Sequence, residues 1–131
     1  MEKIEEIFRG YKAIVVDDQE IGREIMADML EMMGFNVDNA PSGEMAIKLI
    51  SKNAYSIAFF DIQMPEMSGF DLTREIRARE EGKIPIPIVA VSADIFCEKD
   101  RYECIEKGMN GTVSKPVRSE VLIEVIKEIL L

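Results

Sequence analysis

Five short runs rich in apolar and β-branched residues alternate strictly with segments of helical periodicity, and few folds accept that order. The runs are Lys12–Asp17, Phe35–Asn39, Ser56–Asp61, Ile86–Ser92 and Asn110–Ser114. The first, third and fourth are almost continuously apolar, the pattern of strands covered on both faces of a parallel sheet. The intervening segments repeat apolar residues at three and four positions. The first carries Ile25, Met29, Met32 and Met33 and stops at Gly34. A second follows Ser42 to about Lys52, a third covers Phe70–Glu81 before Gly82, and a fourth runs from about Ile95 to Lys107 before Gly108. The last, from about Val117 to Leu130, holds Val121, Leu122, Val125, Ile126 and Ile129 on one side. A glycine directly after a helical pattern is a left-handed stop. Strict βα alternation predicts an α/β fold, a doubly wound sheet with helices on both faces.

At 131 residues the chain has the length of a single domain with one sizeable core. Residues 1–10 read as an N-terminal extension or linker, and residues 11–131 as the domain. Within the lead-in, Ile4, Ile7 and Phe8 fit either a short amphipathic helix or the end of a linker. No stretch approaches the ~20 apolar residues of a membrane helix, and the charged N-terminus lacks a secretory core. A cytoplasmic protein without membrane contact is expected. Its net charge of −9 should be repelled by phosphate backbones, which argues against nucleic-acid binding. Cys97 and Cys104 fall about two turns apart on one helical pattern, roughly 10 Å, too far for an unstrained disulfide. Free thiols are expected.

The chain contains no histidine. That excludes Ser-His-Asp and Cys-His nucleophile systems and histidine-ligated metals, and leaves carboxylates, hydroxyls and lysine to do any chemistry. In open α/β sheets, ligands gather beyond the C-terminal ends of the strands. There the sequence places Asp17 and Asp18, Asp61, Ser92, and Ser114-Lys115-Pro116. Singly, each has a bland explanation as a turn or helix cap. Together they form one reactive set. Crowded carboxylates repel one another unless a cation lies between them, and all-oxygen donors suit Mg²⁺. Ser92 and Lys115 add a hydroxyl donor and a positive charge, as a transferring phosphoryl group requires. A carboxylate can itself be the acceptor, forming an acyl phosphate, and Asp61 on the central strand is the best-placed nucleophile.

These residues, with Asp61 inside FFDIQMPEMSGF, Val91-Ser92-Ala93, and GMNGTVSKPV around Lys115, resemble the receiver domain of two-component response regulators across about residues 11–131. The stretch from Asp61 to Gly69 is the most specific part. The resemblance implies a flavodoxin-like, CheY-like sheet of five parallel strands in the order 2-1-3-4-5. It implies that Asp61 accepts a phosphoryl group from a phosphohistidine, on a histidine kinase or a histidine phosphotransfer protein, or from a small donor. By the same resemblance, Asp18 and Asp61 ligate Mg²⁺ directly, with Mn²⁺ able to substitute. Asp17 acts through a coordinated water, and the Gln63 backbone carbonyl supplies a further ligand. Ser92 and Lys115 bind phosphoryl oxygens, and the Lys115–Pro116 bond is cis. The chain is then a signalling domain rather than a turnover enzyme, promoting only its own phosphorylation and dephosphorylation.

The family usually carries Tyr or Phe three residues before the lysine, as a switch that reports phosphorylation. Here Thr112 stands there, which puts that readout in doubt and favours a phosphorelay role. The phrases DDQEIGREI, IPIVAVSAD and GMNGTVSKPV are similar to receivers of hybrid sensor kinases. With Leu131 the last residue, the chain reads as a stand-alone receiver or the receiver part of such a kinase. Ile21, Gly22 and Met26, opening the first helix, are expected to meet the partner. Ile25, Met29 and Met33 are expected on the sheet and Met32 in solvent. Asp94 is read as a cap for the fourth helix. A monomer is expected, because no long apolar stripe remains exposed. Two alternatives remain open, a degenerate receiver used only for binding and an aspartate-nucleophile phosphatase. The second is disfavoured by Gln63, where its motif needs a second Asp.

Overall fold

The computed structural model describes residues 7–93, 95 and 97–131. The proposed cap Asp94 and the first six residues, Ile4 included, lie outside the described residues. Among the described residues five strands, β1 (Lys12–Val16), β2 (Asn36–Ala40), β3 (Ile57–Asp61), β4 (Ile88–Ser92) and β5 (Gly111–Ser114), alternate with five helices. These are α1 (Glu20–Met32), α2 (Gly43–Lys52), α3 (Gly69–Arg79), α4 (Glu98–Glu106) and α5 (Ser119–Leu130). All strands pair in parallel, in the order β2-β1-β3-β4-β5, so the expected topology holds.

The period-2 geometry of a strand splits each central run between two cores. Ala13, Val15, Ile57, Phe59, Val89 and Val91 face one side, covered by α1 and α5 through Met26, Leu30, Leu122 and Ile126. Ile14, Val16, Ala58, Phe60, Ile88 and Ala90 face the other, covered by Ala46, Leu72, Ile76 and Cys104 from α2, α3 and α4. This is why those runs lack polar alternation. Phe59 and Phe60, neighbours in sequence, are both fully buried on opposite faces, each stabilising the fold by about 1.5–3 kcal/mol. Phe8 is also fully buried, stacked on Phe35 at a centroid distance of 4.9 Å, so part of the lead-in packs into the first core.

Helix ends obey local chemistry. Ser42 caps α2 by accepting the Met45 N–H at 3.2 Å. Ser68 and Asp71 form a reciprocal capping box on α3, and those hydrogen bonds hold the Asp71 carboxyl below its usual range. At the other ends Gly34, Gly82 and Gly108 all have positive φ, the conformation a left-handed stop requires.

Two expectations about helices need correction. The fourth helix begins at Glu98 rather than near Ile95; Ile95 is buried in the β4–α4 connection, where its carbonyl accepts the Ser114 hydroxyl at 2.9 Å. The phase of α1 also differs. Met26, expected to be a contact residue, is 5% exposed, whereas Ile25, expected on the sheet, is 54% exposed. Apolar residues at 21, 25, 26, 27, 29, 30, 32 and 33 surround most of this helix. Periodicity alone could not choose the buried stripe, and packing selects Met26, Ala27, Leu30 and Met33. Ile21 and Met32 are exposed as expected. Both cysteines are free, Cys97 exposed at the start of α4 and Cys104 buried within it.

Candidate functional site

Parallel pairing aligns the strand ends, so residues far apart in sequence emerge at one edge. Asp61 ends β3 and Ser92 ends β4; Asp17 follows β1, and Lys115 follows β5. Asp17, Asp61 and Ser92 are buried, Asp18 is exposed, and Lys115 is partly covered. Lys115 Nζ lies 3.3 Å from Asp17 Oδ2 and 3.1 Å from Asp61 Oδ2, bridging residues 98 and 54 positions away. The Lys115 backbone N–H donates to the Ser92 carbonyl at 2.9 Å, extending the β4–β5 ladder into the site. The Lys115–Pro116 peptide is cis.

One oxygen from each of Asp17, Asp18 and Asp61 falls within 4.8 Å of the others. This donor set is all oxygen and strongly anionic, which fits Mg²⁺ rather than a thiophilic or imidazole-bound metal. Gln63, the expected source of a carbonyl ligand, is exposed two residues past Asp61, and its N–H donates to Asp61 Oδ1 at 3.1 Å. Gln19 N–H does the same for Asp17 Oδ1 at 2.9 Å.

Burial pushes the Asp61 carboxyl above its ordinary pKa. The Lys115 ammonium and the Gln63 N–H oppose this, while the Asp17 charge reinforces it. Burial acts to lower the Lys115 pKa, but its hydrogen bond to Asp61 and the charges of Asp61 and Asp17 outweigh that, and the ammonium is held more tightly than usual. Burial first, and then the Asp17 charge, disfavour the charged form of Asp61, an effect that a bound cation would oppose.

The loop after Asp61 is shaped by its backbone. Met67 N–H turns back to the Pro65 carbonyl at 2.7 Å, and Glu66 sits at φ 67°, a left-handed conformation that costs about 1 kcal/mol. Gly69 N–H then closes the loop onto the Ile62 carbonyl at 2.9 Å. A Cβ on Gly69 would lie 2.5 Å from the Asp61 carbonyl oxygen, so glycine permits the start of α3 to press against the end of β3.

Beside the cluster, between α1 and the start of α5, lies a cavity of about 330 Å³ lined largely by apolar side chains, among them Ile25, Met26, Phe59, Val91, Pro116 and Val117. Thr112 is half-buried on β5, paired with Ala90. Sequence reasoning did not find Arg23, whose Nη1 donates to the Asp17 carbonyl at 2.8 Å. An arginine one helical turn past an acidic pair is a weak signal without the fold.

A sequence model of the response regulator receiver domain matches residues 13–127. The chain is 39% identical over 123 residues to hybrid signal transduction histidine kinase L of Dictyostelium discoideum, covering 89% of this chain and 7% of that protein. It is 38% identical over 109 residues to the sensor histidine kinase RcsC of Salmonella typhimurium, covering 83% of this chain and 11% of that protein. The chain thus spans only about a tenth of the length of these relatives. The receiver domain of the histidine kinase CKI1 from Arabidopsis thaliana, solved in complex with Mg²⁺, superposes with a TM-score of 0.83 at 33% identity, covering 95% of each chain.

Proposed function

The chain belongs to the response regulator receiver family, and from that premise we propose that Asp61 is its phosphoryl acceptor, served by Lys115, Ser92 and a Mg²⁺ held by Asp17, Asp18 and Asp61. The observation that carries this reading is the Lys115 ammonium set between Asp17 and Asp61 at 3.3 and 3.1 Å, beside the three-carboxylate cluster. As a receiver it serves two-component and phosphorelay signalling. The donor is a phosphohistidine on a histidine kinase or a phosphotransfer protein.

An Asp61 carboxylate oxygen attacks phosphorus, an O–P bond forms, and the P–N bond to the donor imidazole breaks. The imidazole nitrogen leaves with the electron pair. Lys115, already at hydrogen-bond distance, exchanges a carboxylate contact for a phosphoryl oxygen, and the Ser92 hydroxyl serves another. When bound, Mg²⁺ neutralises carboxylate and phosphoryl charge together, a charge stabilisation worth several kcal/mol in phosphoryl transfer. Asp18, Asp61 and the Gln63 carbonyl would hold the ion, with Asp17 acting beside them. Exposed Ile25 lines the cavity beside the site, and with exposed Ile21 on the same helix it supplies an apolar surface for the partner. Thr112 is too small to act as an aromatic switch, which favours passing the phosphoryl group onward. Among the described residues no helix is long and apolar enough to cross a membrane.

The test is intact mass after incubation with acetyl phosphate and Mg²⁺. Wild type gains one phosphate, and EDTA or Asp61→Asn abolishes the gain. An unchanged gain in the variant moves the acceptor elsewhere. No gain from either this donor or a phosphorylated histidine partner leaves only a binding role.

A further inference from the structure

Asp17 is held from every side. Its N–H donates to the Ala40 carbonyl at 3.2 Å, Oδ1 accepts the Gln19 N–H at 2.9 Å, and Oδ2 faces Lys115 Nζ at 3.3 Å. Its carbonyl accepts from Arg23 Nη1 at 2.8 Å. This last bond runs from the first turns of α1 back to the end of β1, and so closes the turn on which Asp18 hangs. Nothing comparable is seen for Asp18: its side chain is exposed, and among the described residues no hydrogen bond or ion pair holds its carboxylate. What aims Asp18 at the cluster is therefore its backbone. Two side chains grip that backbone, Asp17 through the Gln19 N–H and Arg23 through the Asp17 carbonyl, and the Arg23 N–H makes the first backbone bond of α1, to the Gln19 carbonyl at 3.0 Å.

We infer that Arg23 is a positioning residue for the cation site, fixing the Asp17–Gln19 turn so that Asp18 needs no ordering when a divalent cation arrives. The inference rests on the reading of Asp17, Asp18 and Asp61 as a Mg²⁺ site. Two effects of Arg23 have opposite signs. Its positive charge repels an incoming cation, whereas its hydrogen bond lowers the ordering cost of the ligands. Arg23 is partly exposed, so its charge is screened, while the 2.8 Å bond to a carbonyl is direct and charge-assisted. The grip prevails. Groups that orient metal ligands from behind commonly contribute about 10–100-fold in affinity, and one such bond corresponds to the lower figure.

The test is calorimetric Mg²⁺ titration of the full chain at fixed ionic strength, with melting temperatures in EDTA, for wild type, Arg23→Met and Arg23→Lys. Arg23→Met should bind Mg²⁺ about tenfold more weakly, with its metal-free melting temperature within about 2 °C of wild type. Arg23→Lys keeps the charge and one donor and should recover part of the loss. Equal or tighter binding by Arg23→Met would mean that charge repulsion outweighs the grip, and the inference fails. It fails equally if the weakening comes with a collapse of metal-free stability that Arg23→Lys does not repair, since Arg23 is then a structural residue. If wild type itself takes up no Mg²⁺, the metal reading falls first, an outcome distinct from the other two.

Discussion

Replacing Gly69 by alanine reverses the sign that helix propensity would give. Gly69 is the first residue of α3, with an ordinary φ, and alanine is favoured over glycine in helices by up to about 1 kcal/mol. Propensity therefore predicts a more stable protein. The new Cβ would lie 2.5 Å from the Asp61 carbonyl oxygen and 2.9 Å from Ile62 Cα. The first distance is roughly 0.9 Å short of where van der Waals contact begins. Both obstacles are backbone at the end of the central strand, which β1 and β4 hold on either side. The start of α3 must therefore retreat, breaking the 2.9 Å bond from Gly69 N–H to the Ile62 carbonyl. Overpacking of this kind costs about 1–3 kcal/mol and the lost hydrogen bond about 1 more, against a gain of at most about 1. A net loss of about 1–3 kcal/mol is expected, with slower phosphorylation because the loop from Ile62 to Ser68, which carries Gln63, shifts with the start of α3. Gly43→Ala is the internal control. It also opens a helix, but its Cβ would meet the flexible Met67 side chain, Sδ first at 2.5 Å, which can swing aside. Urea unfolding followed by circular dichroism should separate the two variants by at least about 1.5 kcal/mol. If Gly69→Ala proves as stable as Gly43→Ala, the close packing of the loop on β3 is not what makes glycine necessary there, and the reasoning is refuted.

Burial raises the Asp61 pKa in the folded protein above its unfolded value of about 3.9. Its favourable contribution is complete below that value and is lost as pH rises through the folded pKa. In EDTA, wild type should therefore gain stability relative to Asp61→Asn as pH is lowered from about 7 to 4; a difference moving the opposite way contradicts the assignment. Arg77 donates to the carbonyls of Gly108 and Ile86, to Asn110 Oδ1 and to Glu80, tying α3 to both ends of the neighbouring loops. Arg77→Met leaves Glu80, only 14% exposed, without its cation though still accepting the Ile86 N–H at 2.7 Å, and should cost about 2–4 kcal/mol in urea unfolding, whereas a loss under about 0.5 shows a solvated network. Native thiol labelling read by intact mass should add one group, at exposed Cys97. Cys104 is buried, and burial followed by the Glu103 and Asp100 charges pushes its thiol pKa up; two labels on the folded chain would mean that α4 opens readily.

Which features the sequence carried, and which needed the fold, follows from the range of the interactions involved. Continuous apolar runs can be satisfied only between two layers, so β1, β3 and β4 were legible as buried strands. Caps and stops are interactions within a few residues, and Ser42, Gly34, Gly82 and Gly108 could be read directly. The meeting of the candidate site residues at one edge was legible for a related reason. In a parallel sheet every strand points the same way, so knowing that Asp17, Asp61, Ser92 and Lys115 end their strands is enough to bring them to one edge. The phase of α1 was not legible, because apolar residues surround that helix and only its docking on the sheet decides that Met26 is buried and Ile25 exposed. Nor were Arg23, gripping Asp17, and Arg77, reaching Gly108 and Asn110 more than thirty residues away. Arginine satisfies a carbonyl wherever the folded chain presents one, and no local pattern announces it. The sequence by itself determined which groups meet; the tertiary structure decided how tightly each is held, because holding depends on partners that only packing supplies.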